Sequence, residues 1–168
     1  MINNKYIDYD NLELLLANLG VQCLANAHQL VIAESCTGGM ICSALTQISG
    51  SSQWFSQGFI TYSNQSKIDL LGVKENSLTS FGAVSQQVAN EMAVGALQKG
   101  DGTLSLSITG IAGPSGGSKS KPVGTVFFSV CNKSRVLLEH KANFKGSRQE
   151  IRGKGLLFAL NSLLKLTL

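Results

Sequence analysis

AESCTGG, residues 33–39, joins an apolar run at residues 30–33 to a second apolar segment at residues 40–48. This order predicts a buried strand, a tight polar turn and a helix from about residue 35 to residue 48. The turn then places Ser35 at a helix N-terminus, where backbone N–H groups lack intrahelical partners and the dipole favours negative charge. A hydroxyl beside free N–H donors suits acyl transfer. Simple capping of the helix by Ser35 or Thr37 is the alternative that this stretch alone favours.

Length and composition indicate a folded protein with a single domain. The chain has 168 residues, of which 43% are hydrophobic and 14% charged, so we predict a single domain over residues 1–168 with a sizeable core. The formal net charge of +4 suits an anionic small molecule and is too weak to indicate a nucleic-acid partner. No apolar run is long enough to span a membrane, so we expect no membrane association.

The cysteines indicate the cellular compartment. Cys23, Cys36, Cys42 and Cys131 show neither a CxxC pair nor a Cys/His ligand spacing, so we expect no zinc site. Residues 1–5 open no apolar signal region. We therefore expect reduced thiols in a cytoplasmic protein.

The remaining patterns predict interleaved helices and strands. Apolar spacing and capping residues predict four more helices. After a loose start at residues 1–8, the first begins at Asp10, and a short second helix over residues 65–71 is capped by Asn64. The other two run from Ser85 to about Lys99 and over residues 147–166. Residues 74–82 are predicted to form a polar connection. Strands are predicted at residues 58–63, at residues 103–109 as a half-buried strand with one apolar and one polar face, and at residues 123–131 and 135–144 as an antiparallel hairpin. The sum predicts an α/β fold with a mixed sheet covered on both faces.

Ser35 needs a base, and the sequence offers Lys67. Lys67 follows the strand predicted at residues 58–63, and open α/β sheets bind ligands where neighbouring strands end. A lysine acts as a base only when neutral, so either burial or a nearby positive dipole must lower its pKa, and a helix N-terminus near Lys67 disfavours the ammonium form. A solvated helix lysine is the more common reading of the spacing alone. Tyr62 either faces the site or is a strand aromatic, and Cys36 is a rival nucleophile whose pKa a helix N-terminus would lower.

Two further segments could bind a nucleotide. The loop at residues 110–117 has enough glycines to wrap a phosphate or a ring, although it matches neither the ATP nor the dinucleotide fingerprint. Arg148 and Arg152 are four residues apart and therefore share one face of the last helix, where Lys145 could help them to hold a phosphate. A solvated basic face is the usual alternative.

Six motifs together resemble the CinA C-terminal domain family in order and approximate spacing. They are AESCTGG (33–39), GSSQWFSQGFITYSNQSK (50–67), LLGV (70–73), FGAVS (81–85), TGIAGPSGG (109–117) and KPVGTV (121–126). The resemblance runs from about Leu12 to the end and so covers nearly the whole chain. It implies a three-layer α/β/α sandwich and, because characterised members include nicotinamide mononucleotide deamidases, hydrolysis of that nucleotide to nicotinate mononucleotide and ammonia in pyridine nucleotide salvage.

The resemblance also implies roles for individual residues. Ser35 corresponds to the proposed nucleophile, Lys67 to its lysine partner and Tyr62 to a site tyrosine, with neither metal nor cofactor. We expect backbone N–H groups near Thr37 and Gly38 to hold the oxyanion. Ribose and phosphate contacts are expected from the loop and the last helix, at Thr109, Gly110, Gly113, Arg148 and Arg152. We expect a homo-oligomer that binds a nucleotide and no nucleic acid.

Two departures and two alternatives accompany this reading. Gln65 and Ser147 stand where the family often has acidic residues, which could alter substrate fit. A catalytically inactive paralogue that binds a nucleotide or a protein is the alternative function. A DNA-linked accessory role is a third hypothesis, which the scattered basic charge disfavours.

Overall fold

A computed structural model describes residues 9–168, and the loose start predicted for residues 1–8 lies outside them. The helices and strands are α1 (Tyr9–Ala25), β1 (Leu30–Glu34), α2 (Met40–Leu45), β2 (Phe55–Ile60), α3 (Asn64–Leu71), α4 (Glu75–Phe81), α5 (Gln86–Lys99), β3 (Leu104–Gly110), β4 (Thr125–Asn132), β5 (Val136–Asn143) and α6 (Arg148–Thr167). A single 3-10 turn, Ser51–Gln53, precedes β2.

The five strands form one mixed sheet in the order β2-β1-β3-β4-β5. β1 runs parallel to β2 and to β3, whereas β4 is antiparallel to both of its neighbours, which confirms the predicted hairpin of β4 and β5. Glu34 pairs with Ile60 on one side and with Ile108 on the other. The chain therefore leaves all three parallel strands at the same edge of the sheet, where open α/β sheets bind ligands.

Helices cover both faces of the sheet and confirm the predicted three-layer sandwich. On one face, α1, α2 and α6 contribute Leu16, Ile41 and Leu160 to a core that includes Ile32 and Phe128 of the sheet. On the other face, α3, α4 and α5 pack against the alternate side chains of β1. No helix within residues 9–168 combines the length and the hydropathy that crossing a membrane requires.

The central strand β3 is more deeply buried than its alternating sequence predicts. Ser105, Ser107 and Thr109, which the alternation assigns to a solvent face, are all buried. Their hydroxyls donate to the carbonyl oxygens of Ala93, Ala89 and Ala83 at 2.7, 2.6 and 2.8 Å. The polar face of this strand therefore binds helix α5 and the residues before it, because buried hydroxyls need hydrogen-bond partners.

Two helix predictions are wrong at their boundaries. Helix α2 begins at Met40 rather than at residue 35, because Gly38 and Gly39 adopt left-handed φ values of 59° and 94° and keep residues 35–39 in a turn. Helix α3 is capped by Ser63 rather than by Asn64, since the Ser63 hydroxyl accepts the Ser66 N–H in a capping box.

Two further predictions miss an element or its register. The predicted polar connection at residues 74–82 contains α4, in which Ser77 and Leu78 are buried and the remaining side chains carry little helical periodicity. Strand β2 ends at Ile60, before Tyr62. Thr61 still donates its N–H to the Glu34 carbonyl at 2.8 Å, and the chain then turns away into α3.

Candidate active site

Ser35 and Lys67 meet at the edge where the parallel strands end. The Lys67 Nζ donates a hydrogen bond to the Ser35 Oγ at 3.0 Å and a second to the Thr61 carbonyl at 2.6 Å. Lys67 is 1% exposed and Ser35 8% exposed. The turn after β1 carries the serine, and the capping box at the start of α3 fixes the helix that carries the lysine. The structure therefore brings together the two residues that the sequence paired.

Burial sets the protonation of this lysine. Desolvation lowers the pKa of Lys67 from 10.5 to about 8, because a buried ammonium loses its hydration. Of the two causes that the sequence suggests, burial and a nearby helix N-terminus, burial is the one that lowers the pKa of Lys67 in the structure. About a tenth of Lys67 is therefore neutral at about pH 7, and more at higher pH, and this neutral fraction is able to accept a proton.

Glu34 occupies the positive end of α2 that the sequence assigned to the substrate. Its fully buried carboxylate accepts the N–H groups of Gly39, Ile41 and Cys42 at 3.0, 3.2 and 2.8 Å. The Gly38 N–H, predicted to be free, donates to the Ser35 carbonyl at 3.1 Å. These groups hold the turn in place and are not free to bind an oxyanion.

A pocket of about 240 Å³ opens beside the serine and the lysine. It is lined by Ser35, Cys36, Tyr62, Asn64, Lys67, Ala83, Val84, Thr109, Gly110, Ala112 and Arg148. Six of these residues were predicted from the sequence. Four predicted residues, Thr37, Gly38, Gly113 and Arg152, lie outside the lining.

The sequence analysis missed part of the lining. Asn64 was interpreted as a helix cap, although the YSN motif that contains it is a signal that could have identified it. Ala83, Val84 and Ala112 are small and apolar, and such residues carry no chemical signature in a sequence. They give the pocket an apolar wall opposite its polar groups.

Arg148 bridges the mouth of the pocket. Its Nη1 donates to the Gly113 carbonyl at 2.9 Å, and its Nη2 donates to the Tyr62 hydroxyl at 2.9 Å. Tyr62 is 61% exposed, so it lies at the rim of the pocket and is linked to Arg148 rather than to the buried pair. Gly113 lies outside the pocket lining, but its carbonyl accepts one of the two hydrogen bonds of this Arg148 bridge.

Arg152, which the sequence predicts to contact the phosphate, is not among the residues that line the pocket. Its Nη2 donates to the Thr37 carbonyl at 2.6 Å. The Thr37 side chain is fully buried, and its Cγ2 lies 3.9 Å from a Cβ built at Gly155 of α6. The Thr37 side chain therefore packs toward α6, and Arg152 contacts the turn that carries Ser35 through the Thr37 carbonyl.

Cys36 does not have the activated thiol that a helix N-terminus would produce. Burial raises the pKa of Cys36 from 9.0 to about 12. The thiol is therefore protonated at neutral pH, and Ser35 is the better candidate nucleophile. Within residues 9–168, no group of three or more His, Cys, Asp or Glu side chains is arranged to hold a metal ion.

Comparison with known proteins identifies the family of this chain. The family model of the CinA C-terminal domain matches residues 13–167. The chain belongs to the CinA C-terminal domain family. This confirms the resemblance that the six sequence motifs carry.

Curated members of the CinA family align over most of the chain. Nicotinamide-nucleotide amidohydrolase PncC of Enterobacter agglomerans is 46% identical over 151 residues, which cover 90% of this chain and 92% of that protein. The PncC of Escherichia coli strain K12 is 42% identical over 149 residues, covering 89% and 90% of the two chains. The crystal structure of competence/damage inducible protein CihA from Agrobacterium tumefaciens superposes with a TM-score of 0.90 at 42% identity, covering 94% and 96%.

Proposed function

We propose that this protein is an amidohydrolase that converts nicotinamide mononucleotide to nicotinate mononucleotide and ammonia with a Ser35–Lys67 pair. The observation that carries the proposal is the 3.0 Å hydrogen bond between the Lys67 Nζ and the Ser35 Oγ, both buried beside a pocket. The names of the PncC relatives, which align over about nine-tenths of both chains, supply the substrate class.

The first half of the reaction makes an acyl-enzyme. Neutral Lys67 takes the Ser35 hydroxyl proton as the oxygen attacks the carboxamide carbon. The resulting ammonium then gives its proton to the amide nitrogen, and the C–N bond breaks to release ammonia. The second hydrogen bond of Lys67, to the Thr61 carbonyl, keeps the Nζ directed at the serine throughout.

Water completes the reaction. With ammonia gone, Lys67 accepts a proton from a water molecule that attacks the acyl carbon, and returns a proton to Ser35 as nicotinate mononucleotide leaves. The oxyanion of both steps is assigned to the N–H of Thr37. Within the described part of the chain, no acceptor takes that N–H, whereas the predicted Gly38 N–H is engaged.

The substrate fits the polarity of the pocket. The apolar wall of Ala83, Val84 and Ala112 suits the pyridine ring, and Arg148 at the mouth suits the phosphate. Thr109 holds the Ala83 carbonyl at 2.8 Å and so keeps that wall against the end of β3. The ribose contacts are assigned to three remaining residues of the lining, namely Tyr62, Asn64 and Gly110.

The wider setting is part of the same proposal. The chain is one domain that acts in the cytoplasm, in pyridine nucleotide salvage, and all four cysteines are free thiols, which supports a reducing compartment. It works as a homo-oligomer, supported by Leu14, Val21 and Leu24 of α1, each more than half exposed.

A substrate panel tests the proposed function. Wild-type protein is incubated with nicotinamide mononucleotide, nicotinamide riboside, nicotinamide and NAD, and both ammonia and the acid product are measured. We expect the highest kcat/KM for the mononucleotide. Turnover of none of these amides by folded protein would overturn the proposal.

A further inference from the structure

Arg152 is a partly buried cation outside the pocket. The hydrogen bond that it makes runs from its Nη2 to the Thr37 carbonyl at 2.6 Å, and its Nε is buried without a partner within residues 9–168. A cation in such a place loses hydration that one hydrogen bond restores only in part. We therefore expect Arg152 to have a role other than stabilising the fold.

The peptide group between Thr37 and Gly38 is held at both of its polar ends. Its oxygen accepts from the Arg152 Nη2 at 2.6 Å and more weakly from the Met40 N–H at 3.4 Å, and its N–H donates to the Ser35 carbonyl at 3.1 Å. A Cβ built at Gly38 would lie 3.7 Å from the Arg152 Nη2, so the guanidinium sits directly against this peptide. Arg152 is thus connected to the backbone of Ser35 through a single peptide group.

This peptide group is the part of the turn that could rotate most easily. Gly38 has a φ of 59°, and rotation of the preceding peptide would carry it to a negative φ that glycine also adopts freely. Such a rotation would withdraw the N–H from the Ser35 carbonyl and take the Thr37 carbonyl away from α6. Gly38 imposes no steric preference on the orientation of this peptide, so hydrogen bonds are expected to fix it, and the one from Arg152 is the shorter of the two that reach the Thr37 oxygen.

We propose that Arg152 is a positioning residue that locks the peptide between Thr37 and Gly38 and thereby holds Ser35 in the geometry required for attack. The inference deepens the proposed function and rests on Ser35 being the nucleophile. It replaces the sequence-based prediction that Arg152 binds phosphate. Arg148, one turn earlier on α6, remains the residue of that helix that faces the substrate.

Steady-state kinetics of Arg152→Met and Arg152→Lys test the proposal, with nicotinamide mononucleotide as substrate. We expect kcat of Arg152→Met to fall about a hundredfold while KM changes less than about threefold, because a small misplacement of a reacting group affects the transition state more than binding. Arg152→Lys keeps a donor and a charge, and we expect it to regain about a tenth or more of wild-type kcat. The control is Lys154→Met on the same helix, whose Nζ contacts the Lys145 carbonyl instead.

A second measurement does not depend on the nucleotide. Phenylmethanesulfonyl fluoride carries no phosphate, and its rate of attachment to Ser35, followed by intact-protein mass spectrometry, reports the positioning of the nucleophile. We expect this rate to fall in Arg152→Met and to remain unchanged in Lys154→Met. Slower labelling supports the positioning role even if the wild type hydrolyses none of the amides, in which case the proposed substrate alone fails.

Other outcomes would overturn the inference. An increase in KM with kcat and labelling unchanged would make Arg152 a substrate-binding residue. If Arg152→Met does not fold, judged by circular dichroism, Arg152→Lys and Arg152→Gln take its place. Equal kcat in all folded variants would leave Arg152 with no positioning role.

Discussion

Lys67 shows how much of the site depends on one residue's surroundings. Its spacing in the sequence fits a solvated helix lysine as well as a base, and only the resemblance to a family selected the second reading. In the structure it is 1% exposed and hydrogen-bonded to Ser35, and burial lowers its pKa to about 8. Burial is a property of the packed molecule, so no local pattern could have given this value.

The lowered pKa predicts how activity depends on pH. Lys67 accepts a proton only in its neutral form, so kcat/KM is expected to rise as pH increases through about 8 and to level off above it. Initial rates with nicotinamide mononucleotide, measured from about pH 6 to about pH 10 with circular dichroism at each pH, would show this. A rate that decreases between about pH 7 and about pH 9 in folded protein would be inconsistent with a neutral lysine base.

At the scale of elements, sequence patterns identified most segments and failed where packing or turn geometry decided. The alternation in β3 predicts one face toward solvent, yet Ser105 and Ser107 are buried against α5. The apolar segment after the AESCTGG motif predicts a helix from about residue 35, but Gly38 and Gly39 delay the start of α2 to Met40. In a sequence, hydroxyl side chains that face a helix and glycines that form a turn cannot be distinguished from surface residues.

Helix α3 packs closely against α5 because α5 has a glycine where the two helices touch. A Cβ built at Gly95 would overlap the carbonyl oxygen of Leu71, the last residue of α3. Gly95→Ala is therefore expected to displace α3, which carries Lys67. The free energy of unfolding should fall by about 1–3 kcal/mol, and kcat should fall with it.

Urea unfolding and initial rates measure these two effects of Gly95→Ala. Val94→Ala is the matched control, because Val94 is 40% exposed on the same helix and its truncation is expected to change stability by less than about 0.5 kcal/mol. If Gly95→Ala matched this control in stability and rate, close approach of α3 and α5 would not position Lys67.

At the scale of the whole molecule, the strand order assembles the pocket. The α/β class and the mixed sheet follow from interleaved helices and a late hairpin, but the order β2-β1-β3-β4-β5 could not be read from local patterns. That order places the residues after β1, at the end of β3 and after β2 side by side. Helix α6, the last element, then returns to bring Arg148 to the rim.

The position of Arg148 predicts which part of the substrate it recognises. Arg148→Met is expected to raise KM for nicotinamide mononucleotide about 10- to 100-fold, through loss of a charge-assisted contact with the phosphate. KM for nicotinamide riboside, which lacks the phosphate, should change little. Parallel kinetics with both substrates, and with Lys165→Met in the last turn of α6 as control, measure the difference. An equal increase in KM for both substrates would show that Arg148 maintains the structure of the pocket rim and does not recognise the phosphate.

Ammonia release from nicotinamide mononucleotide by wild type, Ser35→Ala and Lys67→Met tests the central claim most directly. Ser43→Ala and Lys99→Met, both exposed positions outside the pocket lining, serve as matched controls. The Ser–Lys mechanism predicts full activity in the controls and a loss of at least about a thousandfold in both site variants, with the nucleotide still bound by Ser35→Ala. Wild-type rates in a folded Ser35→Ala protein would contradict the mechanism.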